Sequence, residues 1–546
     1  MDEQLLSCHA SRVTRHASRV TYMLKTILFL VFFLFLIILN VSCNNSEKKS
    51  VLILSLRADP VYLNPVLAHE IPSMMVNQWI FNSLVRLDEN LHPVPDLADS
   101  WQISEDGKRI VFHLKKNVLW HDGHAFTAED VKFTLELVLS EKTNTYNRGL
   151  FMVDDKPVIA RVIDEYTVEI IMAKPFAPLL ANLSVLGMVP EHILKDQDVN
   201  LSDFNSSPVG TGPFKFKDWK VGELVTLSAN DRFFRGKPSL EEVVFRIIPS
   251  TEGRLIALET GQIDAGEIPQ KDYERMSQLP ELNIYRWYDL SYYYLGFDLT
   301  NPLFEKKEIR KALNYAVQKE KIISSVLMGY GKVATGPIPY SSWAYSSDVE
   351  DYEYNPDMAR AIFRHEGWIP GKDGILMRNG KKFSFTIHYG QGSENSEKVC
   401  IYIQHFLKEI GVEVKIRPVE FSVLVTEIAN PGKFEGILLD WIENPDPDCF
   451  VEWGSDQVKH GMNFMSYSNR EVDKLLQEAR TTMDINRRKE LYGKFQKIIT
   501  EDAPYIFLWY SETMMGVNRR IKNVSKPSPA GLFLEPEKIK VVKGEE

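Results

Sequence analysis

FNSLVRLDENLHPVPDLADSWQISEDGKRIVFHLKKNVLWHDGHAFTAEDVKFTLELVL, residues 81–139, is the stretch that decides the fold. It opens with apolar Phe81, Leu84 and Val85 and passes through a polar loop holding Pro93 and Pro95. Trp101-Gln-Ile103 then runs into Glu105-Asp-Gly107, and Arg109-Ile-Val-Phe-His-Leu114 runs out. Asp-Gly between two alternating runs signals a hairpin, because glycine takes positive φ without steric cost. A second turn is expected at His121-Asp-Gly123. Thr127 followed by Ala-Glu-Asp130 is a helix N-cap pattern, and Val131, Leu135 and Val138 share the face of the helix it opens. Every polar residue in the stretch has a role in a turn or a cap, so none of them points to catalysis.

Outward from this stretch, the chain is long. At 546 residues it exceeds one ordinary core, and two to four domains are expected. With 44% hydrophobic and 25% charged residues it has the composition of a soluble globular protein. A net charge of -10 argues against nucleic acid as a partner. Four cysteines are too few for a disulfide scaffold, and Cys400 and Cys449 are expected as unpaired thiols rather than a bridge.

Toward the N-terminus, His9-Ala-Ser-Arg-Val-Thr14 recurs as His16-Ala-Ser-Arg-Val-Thr21, and residues 1–22 are expected not to be translated natively, with Met23 the start. Residues 23–42 read as a signal peptide: Lys25, the apolar run Ile27–Leu39, then Ser42 before Cys43. That run is about 20 Å long as a helix, short for a bilayer. Residues 43–50 read as a polar tether.

Toward the C-terminus, Val51-Leu-Ile-Leu-Ser-Leu56 reads as a buried strand. A strand pair is expected at Lys156–Arg161 and Thr167–Ile171, and helices after Pro175-Phe-Ala-Pro178 and around Pro190-Glu-His-Ile193. Ser207-Pro-Val-Gly-Thr-Gly-Pro-Phe214 is a specified turn; it lacks the Gly-Lys-Ser/Thr of a phosphate loop. Ile309, Ala312, Leu313, Ala316 and Val317 form a helix stripe. So do Val399, Ile403, Phe406, Leu407 and Ile410, which stop at Gly411 before the alternating strand Val412, Val414, Ile416. Val472–Ala479 and Leu491–Ile499 read as amphipathic helices, followed by the aromatic strand Pro504–Tyr510. Helix-glycine-strand units of this kind indicate an α/β layered architecture.

Pro95-Asp-Leu-Ala-Asp-Ser-Trp101, Trp120-His-Asp-Gly123, Phe126-Thr-Ala-Glu-Asp-Val131 and Pro208-Val-Gly-Thr-Gly-Pro-Phe214 together resemble the family 5 extracellular solute-binding proteins, the oligopeptide and dipeptide receptors of ABC importers. The resemblance covers about residue 51 to residue 530. It implies a periplasmic binding protein-like fold of the class II, peptide-binding type, with three lobes and a two-strand hinge. Residues 51–82, 208–292 and 508–546 would form domain I, residues 83–207 an inserted domain II, and residues 293–507 domain III. It further implies a monomeric receptor that binds peptides and delivers them to an ABC permease. A cysteine at the cleavage point resembles a lipoprotein signal, which would lipidate Cys43 and hold the protein to the membrane on the periplasmic or outer face. A receptor for an oligosaccharide or other non-peptide solute on the same fold is the alternative; a hydrolase, adhesin or chaperone is a third class. No cofactor is expected.

The informative cluster is Leu439-Asp-Trp-Ile-Glu-Asn-Pro-Asp-Pro-Asp-Cys-Phe450. In the peptide-binding branch an aspartate just after the matching tryptophan pairs with the peptide α-ammonium. Trp441 matches that tryptophan and Asp446-Pro-Asp448 the common "DPD", with one residue fewer between them, so the anchor falls on Glu443 or Asn444. The family's arginine before the tryptophan is absent from Ile437-Leu438-Leu439. Phe421, Trp509 and Tyr510 stand where the family has aromatic cleft residues, and with Trp441, Glu443, Asn444 and Asp446 they complete the expected ligand set. His121 and His124 flank a turn with no cysteine or third histidine expected nearby, so no metal site is expected. No Gly-x-Ser-x-Gly elbow and no His-Glu-x-x-His occur, and no catalytic residue is expected.

Overall fold

A computed structural model describes residues 50–458 and 461–542. The expectations for residues 1–22, for the signal segment 23–42 and for Cys43 lie outside them. Among the described residues no helix is long and apolar enough to cross a membrane.

Three larger sheets carry the chain. In the first, Val51–Leu56 pairs in parallel with Glu242–Ile247, and Leu224–Ala229 and Phe214–Lys220 extend the sheet antiparallel. Leu52, Leu54 and Leu56 face inward, as the period of two requires. The second sheet contains the expected hairpin: Ala98–Ile103 pairs with Arg109–Leu114, and Gly107 takes φ +66° in its turn. Beside it runs the helix Ala128–Leu139, where the Asp130 carboxylate accepts the Thr127 N–H at 2.9 Å. Val131, Leu135 and Val138 are buried on its inner face.

One expected strand is redrawn. Lys156–Pro157 pairs back on Met152–Val153, and the partner of Thr167–Ile171 is Ile159–Asp164. Pro157 has no N–H to give a ladder, so the run breaks there.

The third sheet has seven strands. Two of them are long, Leu282–Phe297 and Tyr505–Asn518, and they pair with each other antiparallel. Ala265–Glu267 and Lys332–Val333 join Tyr505–Asn518, and Gly436–Ile442 pairs with the upper half of Leu282–Phe297. Ser384–Gly390 and Glu413–Val419 complete the sheet in parallel. The helix Glu394–Glu409, Gly411 at φ +87° and the strand Glu413–Val419 form the expected helix-glycine-strand unit. Separate apolar cores pack on the two faces of this sheet, one around Phe297, Phe385 and Leu407 and one around Tyr292, Trp453 and Phe495. Cys400 lies in the first and Cys449 in the second; both are free and buried, and burial pushes both thiols up.

The turn at 207–214 is specified by close approach. A Cβ on Gly210 would sit 1.9 Å from Ile80 O, and one on Gly212 would sit 2.5 Å from Ile80 C. His121 locks this turn: its Nδ1 accepts from Gly210 N–H at 3.2 Å, while its Nε2 is 3.0 Å from Gly212 O. Burial pushes the imidazole down to about 4, so the ring is neutral and can do both.

Candidate functional site

The site is built where the strand Gly436–Ile442 ends. Pairing sets Trp441 opposite Tyr292 and Leu439 opposite Tyr294. Residues two apart on a strand share a face, so Tyr292 and Tyr294 point the same way, and Trp441 and Glu443 follow suit on their own strand. The pairing of the two long strands shifts register between Tyr288 and Tyr292, and Leu290 O within that bulge accepts the Glu443 N–H at 2.7 Å. Pro445 and Pro447 then stop the ladder, and the chain enters the short helix Phe450–Trp453.

Aromatic rings cluster where these elements meet. Tyr294 stacks on Tyr505 at 4.1 Å, and Trp453 meets Tyr505 at 4.8 Å. Trp441 lies parallel to Phe464 at 5.6 Å and to Tyr294 at 6.3 Å. Polar atoms without a protein hydrogen-bond partner concentrate here: Glu443 Oε1, Asp448 Oδ1, Glu452 Oε2, the Tyr292 and Tyr294 hydroxyls, and Nε1 of Trp441 and Trp453. Glu443 and Glu452 are half-buried as residues, yet these carboxylate oxygens are shut off from solvent.

Such a concentration is costly unless something satisfies it, since an unpaired buried polar group forfeits its hydration. The acids respond accordingly. Burial drives Glu443 well above the ordinary carboxylate range, and the charges of Glu452 and Asp448 push it the same way. Glu452 rises to about 7, chiefly by burial and further by Asp448, while Arg480 pulls it back. Asp448 is raised by burial and pulled down by Arg480, whose Nε donates to Asp448 Oδ2 at 3.0 Å. This arrangement can hold a cation.

The expected ligand set divides. Glu443 and Trp441 belong to this cluster, and Asn444 is exposed beside it. Phe421 is 60% exposed at the start of a short helical segment. Asp446 does not belong: Arg488 holds its carboxylate through bonds of 2.8 and 2.6 Å, both side chains buried. Trp509 is also corrected. It stacks on Tyr293 at 4.4 Å in the core on the other side of the sheet. Tyr510 is fully buried and its hydroxyl serves the backbone, donating to Gly336 O at 3.2 Å and accepting from the N–H of Thr335 and Gly336.

Sequence reasoning missed Glu452, Tyr292, Tyr294 and Trp453. A lone acid within Phe450-Val-Glu-Trp453 and the alternation inside Tyr292-Tyr-Tyr294 were the available signals. It also missed His192. His121 is committed to Gly210 and Gly212, but Asp122, His124 and His192 bring three metal-type ligand atoms within 4.8 Å of one another at the surface. In the structure they bond each other: His192 Nε2 to Asp122 Oδ2 is 2.7 Å, which ties the turn to the helix Glu191–Leu194.

Residues 92–460 match the family model described as bacterial extracellular solute-binding proteins, family 5 middle. The oligopeptide-binding protein AppA of Bacillus subtilis (strain 168) is 33% identical over 522 residues, which is 92% of this chain and 95% of that protein. The structure of AppA from Bacillus subtilis in complex with a nonapeptide superposes with a TM-score of 0.73 at 32% identity, covering 91% of this chain and all of that one. NikZ from Campylobacter jejuni, in complex with Ni(L-His), superposes with a TM-score of 0.75 at 30% identity, covering 90% and 99%.

Proposed function

The chain belongs to the family 5 bacterial extracellular solute-binding proteins, binding proteins rather than enzymes, and from that membership we propose a receptor that captures peptides by their amine and passes them to an ABC permease. The observation that carries the amine-capturing part is Glu443 Oε1, shut off from solvent without a hydrogen-bond partner among aromatic rings. An ammonium there would donate a charge-assisted bond to Glu443, with the ring faces of Trp441 and Tyr294 beside it. The strand Gly436–Ile442 carries no base, so the peptide carboxylate contributes little. AppA, whose structure holds a nonapeptide, supports the peptide class. A non-peptide solute is the second reading, favoured by the likeness to NikZ with its nickel–histidine complex.

The division into 51–82 with 208–292 and 508–546, 83–207, and 293–507 is proposed as the working one. Its support is that the two long strands, Leu282–Phe297 and Tyr505–Asn518, are the ones that continue across the first boundary with the third domain. Bending along them would close the protein over its ligand, ligand selecting the closed form. Cys43 is proposed as the lipidated N-terminus of the mature, monomeric receptor, which tethers it to the membrane from outside the cytoplasm. The test of capture is calorimetry with one peptide, its N-acetylated form and its C-terminal amide. Tight binding of the first and third but not the second supports the amine seat; equal binding of all three sinks it and favours the non-peptide reading.

A further inference from the structure

We propose that Glu443 and Glu452 together form a two-carboxylate seat that selects peptides whose first residue carries a second cation, lysine or arginine, close to the α-ammonium. The proposal rests on the amine capture proposed above and adds Glu452 as a specificity-determining residue.

The charges on the described elements packed around this cluster lead to it. The loop supplies Glu443, Asp446 and Asp448, and the short helix after it supplies Glu452. Of the cations on the two neighbouring helices, Arg470–Thr481 and Ile485–Asp502, Arg480 and Arg488 bond to acids of this loop. Arg488 is spent on Asp446, and its remaining bonds go to Ala479 O and the Tyr492 hydroxyl. Arg480 is spent on Asp448. Asp440 lies on the alternate face of its strand from Trp441 and Glu443. Among the described residues, the other titratable groups at hand are Tyr292, Tyr294, Tyr492, Tyr505 and Cys449, all held neutral by burial. Among the described residues, therefore, no cation bonds to either Glu443 or Glu452, and Arg480, bonded to Asp448, only partly offsets Glu452. One ammonium balances one of them; the second needs a proton or a second positive charge.

A separate observation points to a ligand in the same place. Tyr292 and Tyr294 are fully buried, and neither hydroxyl makes a hydrogen bond of good geometry, the nearest polar groups being Glu443 for Tyr292 and Tyr505 for Tyr294. Trp453, also buried, leaves its Nε1 unpaired. Tyr292 acts on Glu443 directly, and both tyrosine rings and Tyr505 feel its charge. Stacked rings supply faces for an alkylammonium or guanidinium, and both donors and acceptors stand ready for its polar edge. An N-terminal lysine or arginine presents two cations joined by a short apolar stem, which matches two acids set among aromatic rings.

The experiment compares Lys-Ala-Ala, Ala-Lys-Ala and Ala-Ala-Ala by calorimetry at pH 7.5 on the wild-type chain, on Glu452→Gln and on Glu452→Asp. The expected result is that Lys-Ala-Ala binds about tenfold or more tighter than the other two. In Glu452→Gln that preference should fall to within about twofold, and Glu452→Asp should restore part of it. A thermal melt checks that each variant is folded. Equal affinities in the wild type, or a preference that survives Glu452→Gln, overturn the proposal. Failure of the capture reading looks different: none of the three peptides binds. Melting with lysinamide and alaninamide then decides the seat alone. A rise with lysinamide only, lost in Glu452→Gln, upholds it; no rise with either, or a rise with Ni²⁺ alone that both glutamates are needed for, overturns it.

Discussion

Replacing Glu452 with glutamine should make the ligand-free protein more stable, by an amount that depends on pH. The folded protein holds the Glu452 proton up to about 7, against an ordinary value of 4.5. Between those values the folded state binds more protons than the unfolded one, so stability falls as pH rises through the window and levels off above it. The penalty is absent below pH 4.5 and complete above pH 7. At 1.36 kcal/mol per pH unit the raised value corresponds to ~3 kcal/mol. Glu443, raised by burial and by Glu452 itself, adds in the same direction. Glutamine keeps the shape and a similar polar count, so any packing cost is common to all pH values and cancels in the comparison. Urea unfolding of both proteins at pH 4 and pH 8 measures it. Glu452→Gln should gain ~3 kcal/mol more at pH 8 than at pH 4. A variant that loses the same stability at both pH values would show that Glu452 is an ordinary, solvated acid, and the charge counting would fail with it.

Glu443→Gln should weaken a peptide ligand by about thirtyfold or more, because the ammonium then sits unpaired in a desolvated site; calorimetry against the N-acetylated peptide checks that the two losses are the same loss. Arg488→Ala should destabilise by ~3–5 kcal/mol in urea unfolding, since it strands Asp446 as a buried, unpaired charge. Gly210→Ala should be among the most damaging single-methyl changes, because its Cβ would overlap Ile80 O at 1.9 Å, and the yield of folded protein by circular dichroism reports it. Cys43→Ser should move the protein out of the membrane fraction, read by fractionation and mass spectrometry of the mature N-terminus.

Elements whose cause is local were legible from the residues. The Asp106-Gly107 hairpin, the Thr127 cap with Asp130, and the stop at Gly411 each depend on a handful of neighbours. The site was legible only where it is local too. Trp441 and Glu443 are fixed by one strand and its end, and the loop after them was found by its prolines and acids. Their partners come from elsewhere: Arg488 reaches Asp446 from a helix some forty residues on, which no spacing rule within the loop announces. Trp509 and Tyr510 were both placed at the ligand, but neighbours on a strand point to opposite faces. Both faces of this strand are buried, so each residue went into a different core. Glu452 hid in a helix too short to show a period.

The register shift near Leu290 joins the site to the proposed closure. On one side of the shift the long strands are clamped by Arg286, whose Nε and a terminal nitrogen donate to the two Glu512 oxygens at 2.8 and 2.9 Å. On the other side Tyr292 pairs with both Trp441 and Tyr510. Between them the ladder misses bonds, and a strand with missing bonds bends more easily than one fully paired. Glu443 hangs on this segment by its N–H to Leu290 O. A bend there therefore carries the Glu443 carboxylate with it, and a cation drawn to that carboxylate favours whichever bend brings both acids around it. In the proposed closure, the two acids that cost the ligand-free fold stability would make closing depend on the cation.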